Sequence, residues 1–338
     1  MKHIQPLLLP LLLLPLLFVS CIDEETYEDT ATGNFEALWR IIDEHYCYFD
    51  YKKEVYGLDW QEVHDRYKPH VKNSLTTTQQ FELLSGMLGE LRDGHVNLSS
   101  GFDYGRYWRW HEDYPTNFSD TLLRRYLGTD YHIASSLRYK VLDDNIGYVY
   151  CSSFASGFGD GNLTDMLSLL LTCDGLIVDI RGNGGGQLDY AERLAQRFTN
   201  TSVHVGYLRH KNGRGHSDFS PMQKQTIDPY NGLRWQKRTV VLTNREVFSA
   251  ANEFVKYMKC FPGVTVVGDS TGGGSGLPMS SELPGGWSVR YSACPMYDRD
   301  GRDTEFGIAP DHFVSLTDDD FARGRDTLIE FARQLLKQ

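Results

Sequence analysis

Cysteine is scarce in this sequence, basic charge is outnumbered, and long apolar runs are almost absent. Only six of 338 residues are Cys (21, 47, 151, 173, 260 and 294). No Cys-x-x-Cys pair or His/Cys cluster has zinc-ligand spacing, which argues against a structural metal. His204, His210 and His216 recur every six residues and are read as loop and strand-end residues, not ligands. Lys and Arg number 34 against 45 Asp and Glu, a net charge of −11, and no Lys/Arg run occurs. Nucleic acid is therefore excluded as the main partner, because phosphate neutralisation needs a clustered basic surface. No internal repeat or low-complexity tract appears beyond the N-terminus. With 41% hydrophobic and 23% charged residues the composition is globular, and the length predicts a main domain with smaller parts, since single cores stop growing near 250–300 residues.

The single long apolar stretch follows Lys2 and runs from Pro6 to Val19, interrupted by Pro10 and Pro15. It falls short of the roughly 20 residues a membrane span needs and reads as an export signal. Leu17-Phe18-Val19-Ser20-Cys21 resembles a bacterial lipoprotein signal, in which Cys21 becomes the lipidated first residue of the mature chain. A plain secretory signal cleaved nearby is the alternative. Residues 1–20 are thus expected to be a signal peptide and 21–33 a flexible tether, with the protein lipid-anchored in the bacterial cell envelope, facing the periplasm or the outer surface.

From Phe35 to about Leu91 apolar residues recur at three- and four-residue spacings, as in Phe35, Leu38, Trp39, Ile42 and Tyr46, predicting a small helical N-terminal subdomain over 34–95. Residues 96–140 form an aromatic-rich connecting segment. Its Tyr104, Tyr107, Trp108, Trp110, Tyr114 and Phe118 have no clear period, and packing over the sheet is favoured above substrate binding. From Ile146 onward strands and helices alternate: strands at Ile146–Tyr150, Gly175–Ile180, Val203–Leu208, Thr239–Thr243 and Val264–Val267, helices at Leu163–Leu171, Leu188–Phe198 and Ala250–Cys260. That alternation calls for an α/β domain over 141–317 with helices covering a sheet. A strand over Trp287–Tyr297 and a closing helix over Asp318–Leu336 complete the reading.

Two strand-to-helix turns could carry chemistry. Arg181-Gly182-Asn183-Gly184-Gly185-Gly186 would turn backbone N–H groups toward an anion at a helix start. No Lys-Ser/Thr follows as in a nucleotide loop, and the dinucleotide spacing is absent, which leaves a transient oxyanion of acyl transfer. The second turn ends at Ser249, before Ala250-Ala251. Taken alone, Ser249 reads as an ordinary N-cap; the functional reading is a nucleophile, which needs a base to accept its proton.

Four segments together carry a specific resemblance: Leu91-Arg92-Asp93-Gly94-His95, Gly175 through Gly186, Val241-Leu242-Thr243 through Ser249-Ala250-Ala251, and Gly307-Ile308-Ala309-Pro310-Asp311. In order and spacing they resemble the C-terminal processing (tail-specific) serine peptidases, from about Trp39 to Val314. The resemblance implies a crotonase-like (ClpP/crotonase) α/β catalytic domain, no cofactor and no metal, with Ser249 as nucleophile and peptide or protein as substrate. One branch of the family activates its serine with a lysine in a Thr-x-Gly-Lys-Gly loop. Here that loop reads Thr271-Gly272-Gly273-Gly274-Ser275, and no Lys occurs between Lys259 and Lys337. The branch similar to tricorn protease uses a histidine and a glutamate, for which His95 and Glu305 stand at the matching positions. His95 would act as general base and then acid, with an ordinary pKa near neutrality suited to both steps. Glu305 would orient it, directly or through its network, with Asp303 and Asp300 near enough in sequence to serve instead. Aligning the glycine segment with the family's Asn-Pro-Gly-Gly assigns the oxyanion amides to Gly185 and Ala250. Two positions depart from the branch: Gly94 replaces a relay serine, and Asn252 replaces a frequent acidic residue.

A PDZ domain needs roughly 80–100 residues, and only about fifty separate His95 from Ile146, so that module is expected to be absent or reduced. The leading reading is an exported, lipid-anchored serine endopeptidase acting on peptides or unfolded chain ends. The competing readings are a non-catalytic ligand-binding protein of the same fold, as retinoid-binding relatives of the family are, and a nucleotide-binding enzyme using the glycine loop.

Overall fold

The computed structural model describes residues 27–338; the proposed signal and Cys21 lie outside the described residues. Four helices come first: α1 (Ala31–His45), α2 (Phe49–Tyr56), α3 (Trp60–Tyr67) and α4 (Thr77–Gly89). Helix α1 begins inside the stretch 21–33 expected as a tether, Thr30 capping it by accepting from the Gly33 amide at 3.0 Å. Asn34 is buried there, bonded to Asp29 and to the Gly285 amide.

The segment 96–140 is built of short elements: β1 (Asn97–Ser99), β2 (Tyr104–Arg106), α5 (Arg109–Glu112), α6 (Asp120–Leu127), β3 (His132–Ala134) and β4 (Leu137–Val141). Phe118 stacks on Tyr150 with ring centres 5.8 Å apart and Trp110 packs on Phe248, whereas Tyr104, Trp108 and Tyr114 are exposed. There follow β5 (Ile146–Cys151), α7 (Asp160–Leu170), β6 (Gly175–Asp179), α8 (Leu188–Ala195), β7 (Val203–Leu208), β8 (Gln223–Ile227), β9 (Thr239–Thr243), α9 (Ala250–Met258), β10 (Val264–Gly268), β11 (Gly276–Glu282), β12 (Ser288–Tyr297) and β13 (His312–Phe313). The closing helix is broken into α10 (Asp318–Ala322) and α11 (Thr327–Leu336). Gly324, at φ +70°, turns the chain between them.

The fold is mixed α/β with two sheets. The first runs β13-β10-β9-β6-β5-β4-β3, parallel from β13 to β5 and antiparallel at β4 and β3. Its central strands are buried on both faces and alternate sides. Leu176 and Val178 pack with α7, α8 and α9, whereas Ile177 meets α11. The second sheet is antiparallel, β2-β1-β12-β7-β8, with β11 also on β12. The sequence reading placed Val203–Leu208 among strands of a single covered sheet. It belongs instead to this second sheet as β7, only partly buried and paired with β8, a strand the sequence reading did not foresee. Helices α1–α4 share one buried cluster with β1 and β12, so a strand near the C-terminus closes the core of the N-terminal helices.

A buried charge network ties the glycine turn to α11. Arg181, fully buried, donates to Asp179 at 2.6 and 2.9 Å and pairs with Asp326 at 3.0 Å, while Asp326 caps α11. Arg181→Met would leave two buried carboxylates uncompensated, so a loss of about 3–5 kcal/mol is expected, read as a lower urea midpoint at unchanged slope.

Candidate active site

Ser249 closes the turn from β9 into α9 in a conformation rare for a residue with a Cβ, φ +57° and ψ −125°. Such backbone costs on the order of 1–3 kcal/mol and persists only where neighbours impose it. Three hydrogen bonds do so: the Ser249 amide donates to Gly273 O at 2.8 Å, Glu253 N donates to Ser249 O, and Phe248 N donates to Asn183 O. The hydroxyl does not cap α9. Its Oγ lies 3.0 Å from Nε2 of His95 instead, joining residues 154 positions apart.

His95 follows α4 and opens the path into β1. Its backbone is fixed by Asp93, whose carboxylate accepts from the His95 amide at 2.7 Å, from Ser292 at 2.8 Å and from Tyr46 at 3.0 Å. The ring packs against Phe248. Burial pushes its pKa down to about 4, opposed by the Asp93 charge and assisted by Arg290 and Arg106. This corrects the expected near-neutral value: desolvation disfavours the imidazolium more than one carboxylate restores it. Nδ1 is buried and forms no hydrogen bond of ordinary geometry, although the Gly276 backbone favours the protonated ring. For Nε2 to accept the serine proton, Nδ1 must carry the hydrogen of the neutral ring.

Glu305 is buried near this pair but makes no hydrogen bond to His95. Its carboxylate accepts from Lys52 at 3.1 Å and from the Ser275 amide at 3.2 Å. Of its two contacts, the Ser275 amide is next in the chain to Gly276, whose backbone faces the His95 ring. Asp303 is mostly buried as well, with one carboxylate oxygen unpartnered; Asp300 pairs with Arg302 at the surface. Burial raises Glu305 to about 8, with Asp93 adding to the rise and Lys52 opposing it, and burial raises Asp303 to about 7. Asp93 behaves oppositely: burial alone would raise it, but Lys52, His95 and its hydrogen bonds bring it below the ordinary carboxylate range. The ionised carboxylate beside His95 is therefore Asp93. The sequence reading gave it no role, although it stands inside the same Asp-Gly-His segment. Lys52 carries no local signal at all, since α2 lies 253 positions from its partner.

The assignment of Gly185 as an oxyanion donor also needs correction. Its amide is already donated to Asn183 Oδ1 at 3.0 Å, whereas the amides of Gly186 and Ala250 find no acceptor among the described residues and border the same cleft as Ser249. Gly185, at φ +96°, is required for close approach: a Cβ there would meet Phe248 O at 2.6 Å and Ser249 Cβ at 2.8 Å. Asn252 has a definite task, accepting from Thr271 and donating to Ser275, and so pins the loop that holds Ser249 and Glu305. At Gly94 a side chain would strike Phe248 and Trp110, so this site has no room for a relay serine.

The cleft, of about 350 Å³, exposes Ser249 to solvent beside His95. A hydroxyl in contact with a neutral imidazole and facing two free amides is an arrangement suited to acyl transfer. If His95, neutral down to about pH 4, serves as the base, the acid limb of kcat/KM is expected near that pH and not near 6.5, the activity being lost as His95 protonates. A limb at 6–7 in the pH profile would refute the depressed value.

The profile of peptidase family S41 matches residues 145–314, and that of the tricorn protease C1 domain matches residues 27–89. A solved structure of a putative peptidase from Parabacteroides merdae ATCC 43184 is 50% identical, with a TM-score of 0.87 over 91% of this chain and 97% of that one. Mature CPAF shares the fold at 12% identity and a TM-score of 0.69, over 91% and 96% of the two chains. The carboxy-terminal processing protease CtpA of Bacillus subtilis (strain 168) is 26% identical over 161 residues, 47% of this chain and 32% of that protein, so the match spans about a third of that relative's length. The fold, the Ser–His contact and these matches agree: the chain belongs to peptidase family S41, the C-terminal processing serine-type peptidases.

Proposed function

We propose that the protein is an exported, lipid-anchored serine endopeptidase whose crotonase-like catalytic domain, with the N-terminal helices as its subdomain, cleaves peptides or unfolded chain ends through an acyl-enzyme at Ser249. The observation that carries this reading is the 3.0 Å contact between Ser249 Oγ and His95 Nε2 at a strained strand-to-helix turn. Ser249 attacks the scissile carbonyl as His95 takes the hydroxyl proton. The oxyanion is held by the amides of Ala250 and Gly186, and the helix dipole of α9 favours the same charge. His95 then gives its proton to the leaving amine, and a water deprotonated by the same nitrogen hydrolyses the ester and restores the serine. Asp93 stabilises the transient imidazolium. Anchoring at Cys21 in the cell envelope rests on the sequence signal alone.

A fluorophosphonate probe tests the chemistry. It should label the wild-type protein and spare Ser249→Ala, and wild-type protein that resists labelling while folded would favour the non-catalytic reading. Palmitate incorporation that is lost in Cys21→Ser tests the anchor.

A further inference from the structure

Arg290 lines the catalytic cleft together with His95 and Ser249, yet among the described residues its guanidinium has no ion-pair or hydrogen-bond partner. Its placement is built into the second sheet. Asn97 of β1 is in register with Arg106 of β2 on one side and with Arg290 of β12 on the other. Side chains in such a lateral row share one face, so the two arginines flank Asn97 on the side of His95. Ser292, two positions along β12 and hence on that face, reaches Asp93. Val289 and Tyr291, on the opposite face, are buried against the N-terminal helices.

The two arginines differ in what occupies them. Arg106 Nε donates to Gly94 O at 2.6 Å, and its guanidinium lies 4.6 Å from the Trp108 ring. Arg290 is exposed and has no such partner among the described residues. Asp189, the acidic residue bordering the cleft, is not paired with it. A chain of net charge −11 thus places an unneutralised guanidinium, with donors spaced to fit a carboxylate, beside its nucleophile.

We infer that Arg290 binds a carboxylate of the substrate, either the α-carboxylate of a chain end or an Asp/Glu side chain close to the bond presented to Ser249. The inference rests on the peptidase reading above and gives that site a substrate class. It is tested with quenched fluorescent peptides of one sequence, made with a free or amidated C-terminus and with Asp or Asn at successive positions around the cleaved bond.

Wild-type kcat/KM is expected to favour the carboxylate form by about 10–100-fold, as for a charge-assisted hydrogen-bonded pair. A preference for free acid over amide identifies the chain end, and one for Asp over Asn the side chain. The preference should collapse in Arg290→Ala, survive in part in Arg290→Lys, and turn toward a Lys-containing peptide in Arg290→Glu, a reversal that a merely structural role would not produce. Equal rates on charged and neutral peptides by a wild-type enzyme that cleaves both and takes up the fluorophosphonate probe would overturn the inference and leave the peptidase reading standing. So would a preference that persists in Arg290→Ala. Failure of wild type both to label and to cleave any peptide would overturn the two together.

Discussion

Ser249→Ala should lower kcat by on the order of 10⁶-fold, and removing His95 in the same chain should add almost nothing, because nucleophile and base act as a unit. The residual rate reports the amides of Ala250 and Gly186 with substrate binding, both of which survive the substitution. Stability gives an independent check on the same residue. The Ser249 hydroxyl caps nothing, so Ala should unfold at nearly the wild-type denaturant midpoint, within about 0.5 kcal/mol. Ser249→Gly should do more: at φ +57°, ψ −125° a residue without Cβ escapes the strain, and about 1–3 kcal/mol of stabilisation is expected with activity lost. Chemical denaturation of the three proteins measures this. A destabilised Gly variant would show that the serine conformation is not imposed against its own preference.

Asp93→Asn is the second substitution expected to cripple the enzyme, by about 10²–10³-fold in kcat, comparable to removing one fixed electrostatic partner of a transition state. Asn keeps the size and can accept from the His95 amide, but it withdraws the negative charge that opposes the desolvation of the imidazolium. Glu305→Gln should cost far less, below about tenfold in kcat at pH 7, since burial already raises Glu305 to about 8 and the single Gln oxygen can still accept from one of the two donors, Lys52 or the Ser275 amide. Parallel kcat measurements on the two variants decide the matter. The reverse order, with Glu305→Gln the more damaged, would return the orienting role to Glu305 and make the Ser275–Gly276 backbone its route to His95.

The sequence by itself determined whatever is encoded locally. Period-3.6 and buried apolar segments marked α1, α4, α9 and the central parallel strands, because burial on one face or on both leaves a pattern along the chain. Ser249 and His95 were legible because each lies in a short segment that resembles the family's, and against that resemblance the missing lysine in residues 271–275 pointed to histidine as base. Only the tertiary structure could decide what depends on residues far apart. β7 entered a second sheet because its partner β12 lies far along the chain, and β12 completes the core of helices that precede it by two hundred residues. The pKa of His95 is set by burial, which no linear pattern records. Lys52 stands beside Glu305, which burial and Asp93 nevertheless raise, while Lys52 and His95 keep Asp93 ionised, because a buried charge is governed by its desolvation and by the charges the fold brings close to it, and sequence distance does not enter that energy.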